Sequence, residues 1–282
     1  MQHQSDYFPV LGIQEFSESL SPDRHLLFHE LHGKRSINEP HKHDFFIIIL
    51  FEQGEGTHTI DFTEYQIANH QVHLIFPDQV HHWKIGKETI GYQLMISREW
   101  FESFFPSLRF AASYYQSHPI IQLSKEDLLS LLYEFRSIQK ELEETTIIWE
   151  LIQTRSKLVG LLVHKIAGST FKDFENYNSN PIISKFLTLI DQYFKQVHSV
   201  AFYAEKLFIS ANYLNIVCRK NLHVSASSLI QNRILLEAKR LLKVSEMSIK
   251  DIVYELGFYD HANFSKFFKS QTGMTPTQFK EQ

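Results

Sequence analysis

Two histidine-rich segments in the first third of the chain carry side chains that could bind a metal ion or a small molecule. His41 and His43 directly precede an apolar run, and His81 and Trp83 follow a turn that begins at Pro77. On a strand, a spacing of two residues points both imidazoles to the same face, as metal ligation requires. The same four side chains could instead line a pocket for an organic molecule, or only hydrogen-bond at the rim of a barrel.

The last third of the chain contains two patterns of a short helix, a turn and a second helix with a polar outer face. In the later pattern, at about 248–271, an apolar stripe ends at Leu256. Gly257 follows, where a helix C-terminus favours a residue that tolerates left-handed backbone, and Asp260 suits the N-cap of the next helix. The candidate contacts with DNA bases and phosphates are Tyr259, His261, Asn263, Ser265, Lys266 and Lys269.

The earlier pattern, at about 198–220, is weaker but has the same order. Residues 200–207 are predicted to form its first helix and residues 211–220 its second, with Ser210 as the N-cap. Its candidate contacts are Ser210, Asn212, Tyr213, Asn215, Arg219 and Lys220. The two patterns are joined by an amphipathic helix that is expected to carry Arg233, Lys239 and Arg240 outside its apolar face.

The formal net charge of −4 is unusual for a protein that binds nucleic acid, but it averages two unlike parts. Residues 181–282 contain 13 Lys and Arg against 8 Asp and Glu, a net charge of +5, and residues 1–180 carry −9. Such asymmetry is expected when only one domain meets phosphate.

The 282 residues suffice for about two domains. Residues 1–115 contain short alternating or apolar runs between turns and are predicted to form an antiparallel β domain. Residues 116–168 are predicted to be helical, with an apolar seam that either pairs two protomers or packs against the protein's own sheet. Residues 169–181 are assigned to a linker and 182–282 to the DNA-binding domain. The seam consists of Leu128, Leu131, Phe135, Ile138 and Leu142.

Composition narrows the class of protein further. The single cysteine, Cys218, excludes an intramolecular disulfide and a multi-cysteine zinc site, and it is expected to be a small buried residue. The N-terminus lacks the apolar core of a signal peptide, and the longest apolar run, residues 45–51, is too short to span a bilayer. We therefore expect a cytoplasmic protein without a membrane partner.

Residues 182–282 resemble the DNA-binding domain of the AraC/XylS transcription regulators. The resemblance implies two helix-turn-helix units on one long helix that enter successive major grooves of double-stranded promoter DNA. It aligns three residues of each second helix with recognition positions, although His261 and Ala262 depart from the family's usual residues. These positions are Asn212, Tyr213, Asn215, His261, Asn263 and Lys266. The matching segments are 237–242, 249–252, 255–258, 263–269 and 272–276.

The first domain resembles the cupin-like sensor domain of the same family. Metal-binding cupins supply a Glu four or five residues after the second histidine, but Ile47 and Ile48 occupy those positions here. The sequence therefore predicts no metal and no cofactor, and His41, His43, His81 and Trp83 become candidate effector-binding residues.

The whole chain is accordingly predicted to be a homodimeric, effector-controlled regulator of transcription and not an enzyme, with RNA polymerase as a further partner. An activator is predicted, but the residues leave activation and repression open. Two alternatives stay open, a cupin metalloenzyme with a helical appendage and a regulator of the same type that needs no ligand.

Overall fold

The computed structural model describes residues 25–104, 112–171 and 180–281, which fall into two compact units. The described part of the first unit contains nine strands and four helices, and that of the second contains seven helices. The predicted fold class is confirmed, because an antiparallel β domain precedes a helical domain with two helix-turn-helix motifs.

The strands of the first unit form two antiparallel sheets. The five-stranded sheet has the order β1-β8-β3-β6-β9 and the four-stranded sheet has the order β2-β7-β4-β5. The strands are β1 (Leu26–His32), β2 (Arg35–His41), β3 (Phe46–Gln53), β4 (Gly56–Ile60), β5 (Thr63–Gln66), β6 (Gln71–Ile75), β7 (His81–Ile85), β8 (Ile90–Ile96) and β9 (Ile120–Gln122).

The apolar run in β3 is buried along its whole length, from Phe46 to Phe51. Ile47, Ile49 and Phe51 alternate along the strand and belong to the same core cluster as Trp83 of the other sheet. A strand covered on both faces has no need of polar alternation, which explains the continuous run.

Four helices complete the first unit: α1 (Arg98–Phe104), α2 (Ala112–Ser117), α3 (Lys125–Glu143) and α4 (Trp149–Thr170). Ser124 caps α3 by accepting a hydrogen bond from the Asp127 amide at 3.1 Å. The side chain of Phe135, in the middle of α3, lies 6.3 Å from the ring of Phe28 and 6.4 Å from that of Tyr92.

The seam predicted to pair two protomers is therefore largely occupied within the protomer. Four of its five members are buried in the first unit, namely Leu128, Leu131, Phe135 and Ile138. Of the two predicted uses of the seam, packing of α3 against the protein's own sheet is therefore the one observed. The expected end of the β domain at residue 115 also needs correction. Residue 115 lies inside α2, and the later strand β9 still belongs to the β domain because it pairs with β6. The expected linker, 169–181, lies mostly outside the described residues.

The second unit consists of helices around one core. They are α5 (Pro181–Tyr193), α6 (Val200–Lys206), α7 (Ala211–Leu222), α8 (Ala226–Val244), α9 (Ile249–Glu255), α10 (His261–Thr272) and α11 (Pro276–Glu281). Leu214 of α7, Ala238 of α8 and Phe264 of α10 are all fully buried in this core. Cys218 is buried there as well, and burial raises the pKa of its thiol to about 11, as expected of an inert packing residue.

Candidate DNA-contacting helices and the histidine interior

Two helices of the second unit, α7 and α10, present polar faces to solvent and begin at well-formed caps. The Ser210 hydroxyl accepts a hydrogen bond from the Tyr213 amide at 3.1 Å, and the Asp260 carboxylate accepts one from the Asn263 amide at 2.7 Å. Each cap satisfies a free amide in the first turn of its helix, which fixes where the helix begins. The side chains that follow the caps are thereby held in a defined orientation.

The turns that precede these two helices have the same hydrogen bonds. In the first, the Ile209 amide donates to the Ala204 carbonyl at 3.0 Å, and in the second the Phe258 amide donates to the Val253 carbonyl at 3.0 Å. The left-handed position of the turn is Gly257 in the second motif, with φ of 69°, but Phe208 in the first, with φ of 58°. The earlier motif is therefore built like the later one despite its weaker sequence.

On α7, most of the predicted contact residues are exposed. They share the outer face with Ile216, an apolar residue that the sequence analysis did not single out although its spacing of four from Asn212 indicates the same face. An exposed aliphatic group can contact the methyl group of thymine. The exposed candidates are Ser210, Asn212, Tyr213, Arg219 and Lys220.

Asn215 is the exception among the predicted contacts of α7. It is half-buried, its Oδ1 accepts a hydrogen bond from the Ala226 amide at 3.0 Å, and its Nδ2 donates to the Ala211 carbonyl at 3.3 Å. The side chain joins α7 to the first residue of α8. We therefore assign Asn215 to positioning these helices rather than to contact with bases.

On α10, the candidates are exposed except for Ser265, which is half-buried, and the side chain of Tyr259, before the helix, is 92 % exposed. Asn263 turns back toward the cap, because its Nδ2 donates to Asp260 at 2.8 Å. Ser265 and His261 also pair with each other, with 3.3 Å between Oγ and Nδ1. The outermost candidates are therefore Tyr259, His261, Lys266 and Lys269.

Four cations on these two helices have no carboxylate partner within residues 180–281 or elsewhere in the described chain. They are Arg219, Lys220, Lys266 and Lys269, and all four are exposed. Unpaired exposed cations are available to displace counterions from phosphate.

Two arginines of α8 do not lie on exposed faces as the sequence analysis expected. Arg240 is only 2 % exposed and lies 3.6 Å from the Glu237 carboxylate. Arg233 contacts Glu237 at 2.9 Å and Asp191 at 3.1 Å, with its guanidinium over the ring of Phe194. Burial raises the pKa of Asp191 despite Arg233. The pair of Arg233 with Asp191 joins α8 to α5, and the buried Glu237 carboxylate is neutralised by two arginines of its own helix, because an unpaired buried charge is costly.

In the first unit, the structure brings His43 and His81 together and adds two histidines that the sequence analysis missed. The four buried rings form a chain of hydrogen bonds, with 3.0 Å from His43 Nε2 to His81 Nε2 and 3.0 Å from His81 Nδ1 to His58 Nε2. His58 Nδ1 lies 3.0 Å from His73 Nδ1. His58 falls on an inward position of alternating β4, which was the available signal for it.

The two remaining candidates flank this chain. The ring of His41 is 4.3 Å from that of His81, and Trp83 packs against His58 at 5.4 Å between centroids. Trp83 is buried, and its indole Nε1 has no hydrogen-bond partner among the residues that the structure describes. A buried N–H without a partner is rare enough to need an explanation, and a bound acceptor is one.

The chain of imidazoles does not form a metal centre. Across residues 25–104, 112–171 and 180–281, no group of three or more His, Cys, Asp or Glu side chains could hold a metal ion. Three ligands must converge on one point, whereas these nitrogens pair in series. Burial lowers the pKa of all four rings, to about 3 for His43 and His73, so that the rings are neutral at neutral pH.

No helix in the described ranges is long and apolar enough to cross a membrane.

Two family models match this chain and together cover more than half of it. Residues 26–146 match the AraC-like ligand binding domain, and residues 203–282 match a helix-turn-helix domain.

Similar curated proteins are named as transcriptional regulators. The HTH-type transcriptional activator RhaS of Escherichia fergusonii is 20% identical over 292 residues, which cover 99% of this chain and 96% of that protein. The uncharacterized regulator YfiF of Bacillus subtilis is 24% identical over 85% of this chain and 78% of its own. The arabinose operon regulatory protein of Salmonella typhimurium is 26% identical over 50% of this chain and 46% of its own.

Solved structures of similar chains include ToxT from Vibrio cholerae O395. It is 16% identical, covers 91% of this chain and 96% of its own, and has a TM-score of 0.45. The C-terminal domain of AraT from Geobacillus stearothermophilus is 27% identical, covers 36% of this chain and 85% of its own, and has a TM-score of 0.35.

Proposed function

The chain belongs to the AraC family of transcriptional regulators, and on that premise we propose that α7 and α10 contact promoter DNA under the control of a small molecule bound in the β domain. The observation that carries the first half of this proposal is the pair of capped helices with exposed, unpaired cations. A helix presented in this way fits the major groove, where side chains reach base edges while cations hold phosphates.

The control by a small molecule is supported by the β domain itself. Its family model is that of a ligand-binding domain, and beside His41, His43 and His81 the interior holds the buried Trp83 N–H, which no group in the described ranges accepts from. A ligand can switch DNA binding only if it favours one conformational state over another. The effector is therefore a molecule with a hydrogen-bond acceptor for Trp83.

The protein acts as a cytoplasmic homodimer in this proposal. With the α3 seam buried, the face available for a partner carries Leu129 and Tyr133, which are 58 % and 66 % exposed and four residues apart on the helix. Relatives named as activators support activation of transcription, with RNA polymerase as the further partner.

The test of DNA contact uses sites selected from a random pool of duplex DNA by the full-length protein. Lys266→Ala and Arg219→Ala should each weaken binding to a selected site by about 1 kcal/mol or more, roughly fivefold, and flatten the dependence on salt. Lys185→Ala is the matched control, because Lys185 is an exposed lysine of α5, outside both motifs. Fluorescence anisotropy at several salt concentrations measures both quantities. Affinity unchanged by both substitutions would refute the assignment of these helices.

Two further measurements separate the alternatives. A ligand-independent regulator predicts no thermal shift with any compound made or consumed by the genes next to the selected sites, whereas effector control predicts a shift that Trp83→Phe reduces. A cupin metalloenzyme predicts stoichiometric iron, manganese or zinc in protein purified without chelator and its loss in His43→Ala.

A further inference from the structure

The buried histidines of the β domain form an unbranched chain, and each of its two ends meets a group that can only accept a hydrogen bond. At one end, His43 Nδ1 lies 2.8 Å from the Phe45 carbonyl oxygen. At the other end, His73 Nε2 lies 3.1 Å from Gln71 Oε1. A carbonyl oxygen offers no proton, so the imidazole must donate at each end.

The orientation of the Gln71 amide is fixed independently of the histidines. Its Oε1 accepts a hydrogen bond from the Ala68 amide at 2.9 Å, and its Nε2 donates to Gln122 Oε1 at 3.2 Å. Gln122 is held in turn, because its Nε2 donates to the Asn69 and His70 carbonyls, each at 3.0 Å. Exchange of oxygen and nitrogen in either amide would set two donors or two acceptors against each other.

The chain therefore has one hydrogen-bond contact more than neutral rings can fill. Three contacts between rings and two at the ends make five contacts, and each needs one proton. Four neutral imidazoles carry four N–H groups. Whatever tautomers the rings adopt, one contact is left with two facing lone pairs.

We propose that the chain His43–His81–His58–His73 is a binding site for one proton, taken from solvent on acidification and shared by the four rings. The proton fills the fifth contact and makes the chain a monocation. A second proton would place two donors in one contact and would meet the charge of the first, so it is excluded. The chain shares His43 and His81 with the surroundings of the proposed effector site but does not use the Trp83 N–H, and its proton count does not rest on the proposed function.

The groups around the chain bias where the charge lies. Asp78 is the carboxylate that favours charge on His43, and it is itself held by Arg98 at 2.8 Å and Lys42 at 3.5 Å. The half-buried His41 opposes charge on His43, and there it outweighs Asp78; His41 and the half-buried His82 both oppose charge on His58 and His81. Phe51 of β3 covers His73, and Phe45 stacks on His43. The two inner rings, His81 and His58, are thus the least favourable places for the charge.

The proton would act on the contact between the two sheets. His58 and His81 lie on β4 and β7 of the four-stranded sheet, whereas His73 lies on β6 of the five-stranded sheet. The bond between His58 and His73 crosses from one sheet to the other. Filling every contact tightens this crossing, so the acidity of the surroundings becomes a signal to the β domain.

The experiment is a pH titration of the full-length protein labelled with ¹⁵N in its histidine rings, followed by NMR. The ring nitrogens of the four chain histidines should shift together with one midpoint below pH 6.5, and their sum should correspond to one proton. Independent midpoints for the four rings, or no shift before the protein unfolds, would overturn the proposal.

Gln71→Met tests the proton count without changing a histidine. Removal of the end acceptor leaves four contacts for four N–H groups, so the common midpoint should fall by about 1 to 2 pH units. Gln93→Met is the matched control, because Gln93 is equally buried on β8 and should leave the midpoint in place. An unchanged midpoint in Gln71→Met refutes the site. If that variant does not fold, His73→Phe leaves three contacts for three N–H groups and must lower the midpoint in the same way.

Discussion

Single side chains in the second unit divide between holding the fold and facing solvent, and spacing along a helix does not separate the two roles. Asn212 and Asn215 are three residues apart on α7 and were both assigned to DNA contact. The structure leaves Asn212 exposed, whereas the Oδ1 of Asn215 joins α7 to α8 and its Nδ2 bonds back to the Ala211 carbonyl within α7. Two asparagines with the same chemistry thus have different tasks.

At this scale we predict opposite effects for two matched substitutions. Asn215→Ala should lower the free energy of unfolding by about 1–2 kcal/mol, because the Ala226 amide loses its acceptor. Asn212→Ala should change that free energy by less than about 0.5 kcal/mol and weaken binding to a selected DNA site. Urea denaturation followed by circular dichroism gives the stability, and anisotropy gives the affinity. Equal loss of stability in both variants would contradict the division of roles.

Among the elements, the two turns of the helix-turn-helix motifs share one backbone geometry and differ in the residue at its left-handed position. Gly257 accepts this conformation without cost, and a Cβ there would overlap the Lys195 carbonyl oxygen. Phe208 holds the same position in the first motif with a side chain that is 95 % exposed. A bulky residue with positive φ is strained, and this side chain gains no burial in return.

These turns give a pair of predictions with opposite sign. Phe208→Gly should raise the free energy of unfolding by about 0.5–1 kcal/mol, because the left-handed strain is removed and little packing is lost. Gly257→Ala should lower it by more than about 1 kcal/mol, because strain and overlap add. Circular dichroism during thermal unfolding measures both.

A more stable Gly257→Ala, or a less stable Phe208→Gly, would show that the turns are not equivalent. If Phe208→Gly is more stable but binds a selected DNA site more weakly, the exposed ring has been kept for contact with DNA rather than for the turn.

For the molecule as a whole, acid and base act mainly on the β domain, where burial lowers the pKa of the four chain histidines. In the unfolded chain these rings protonate below their ordinary pKa of 6.5, whereas in the folded chain they resist it. At acid pH the folded state therefore binds fewer protons than the unfolded state does. The free energy of unfolding is therefore not reduced by these rings above pH 6.5, and it decreases as the pH falls below that value.

We accordingly predict that the β domain unfolds at lower urea concentration as the pH falls from 7 to 5. Each ring that stays neutral on folding contributes a loss of up to about 1.4 kcal/mol per pH unit below 6.5. Tryptophan fluorescence isolates this domain, because Trp83, Trp100 and Trp149 all lie in the first unit. His73→Phe should flatten the slope, whereas Gln93→Met, which removes a buried side chain that does not titrate, should not. Stability that rises on acidification would contradict the neutral state of the chain.

The class of fold, the two helix-turn-helix motifs and the family could all be predicted from the amino-acid sequence, because they depend on local signals. These signals each involve only a few neighbouring residues and can be recognised in the sequence. They are the apolar periodicity of the helices, N-caps such as Asp260 and the glycine at position 257. The same signals predicted which residues of α10 lie outside the core, and the family models confirm the domain classes.

Contacts between strands and helices that are distant along the chain could not be predicted in this way and follow from the folded structure. It buried the α3 seam against the sheet, paired Arg233 with Asp191 across 42 positions, and joined His58 to His73 across 15. The sequence around a histidine on an alternating strand does not predict which ring it will contact, because that contact depends on how the two sheets pack. Helix and turn follow from neighbouring residues, whereas the partners of a buried charge or imidazole follow from the whole fold.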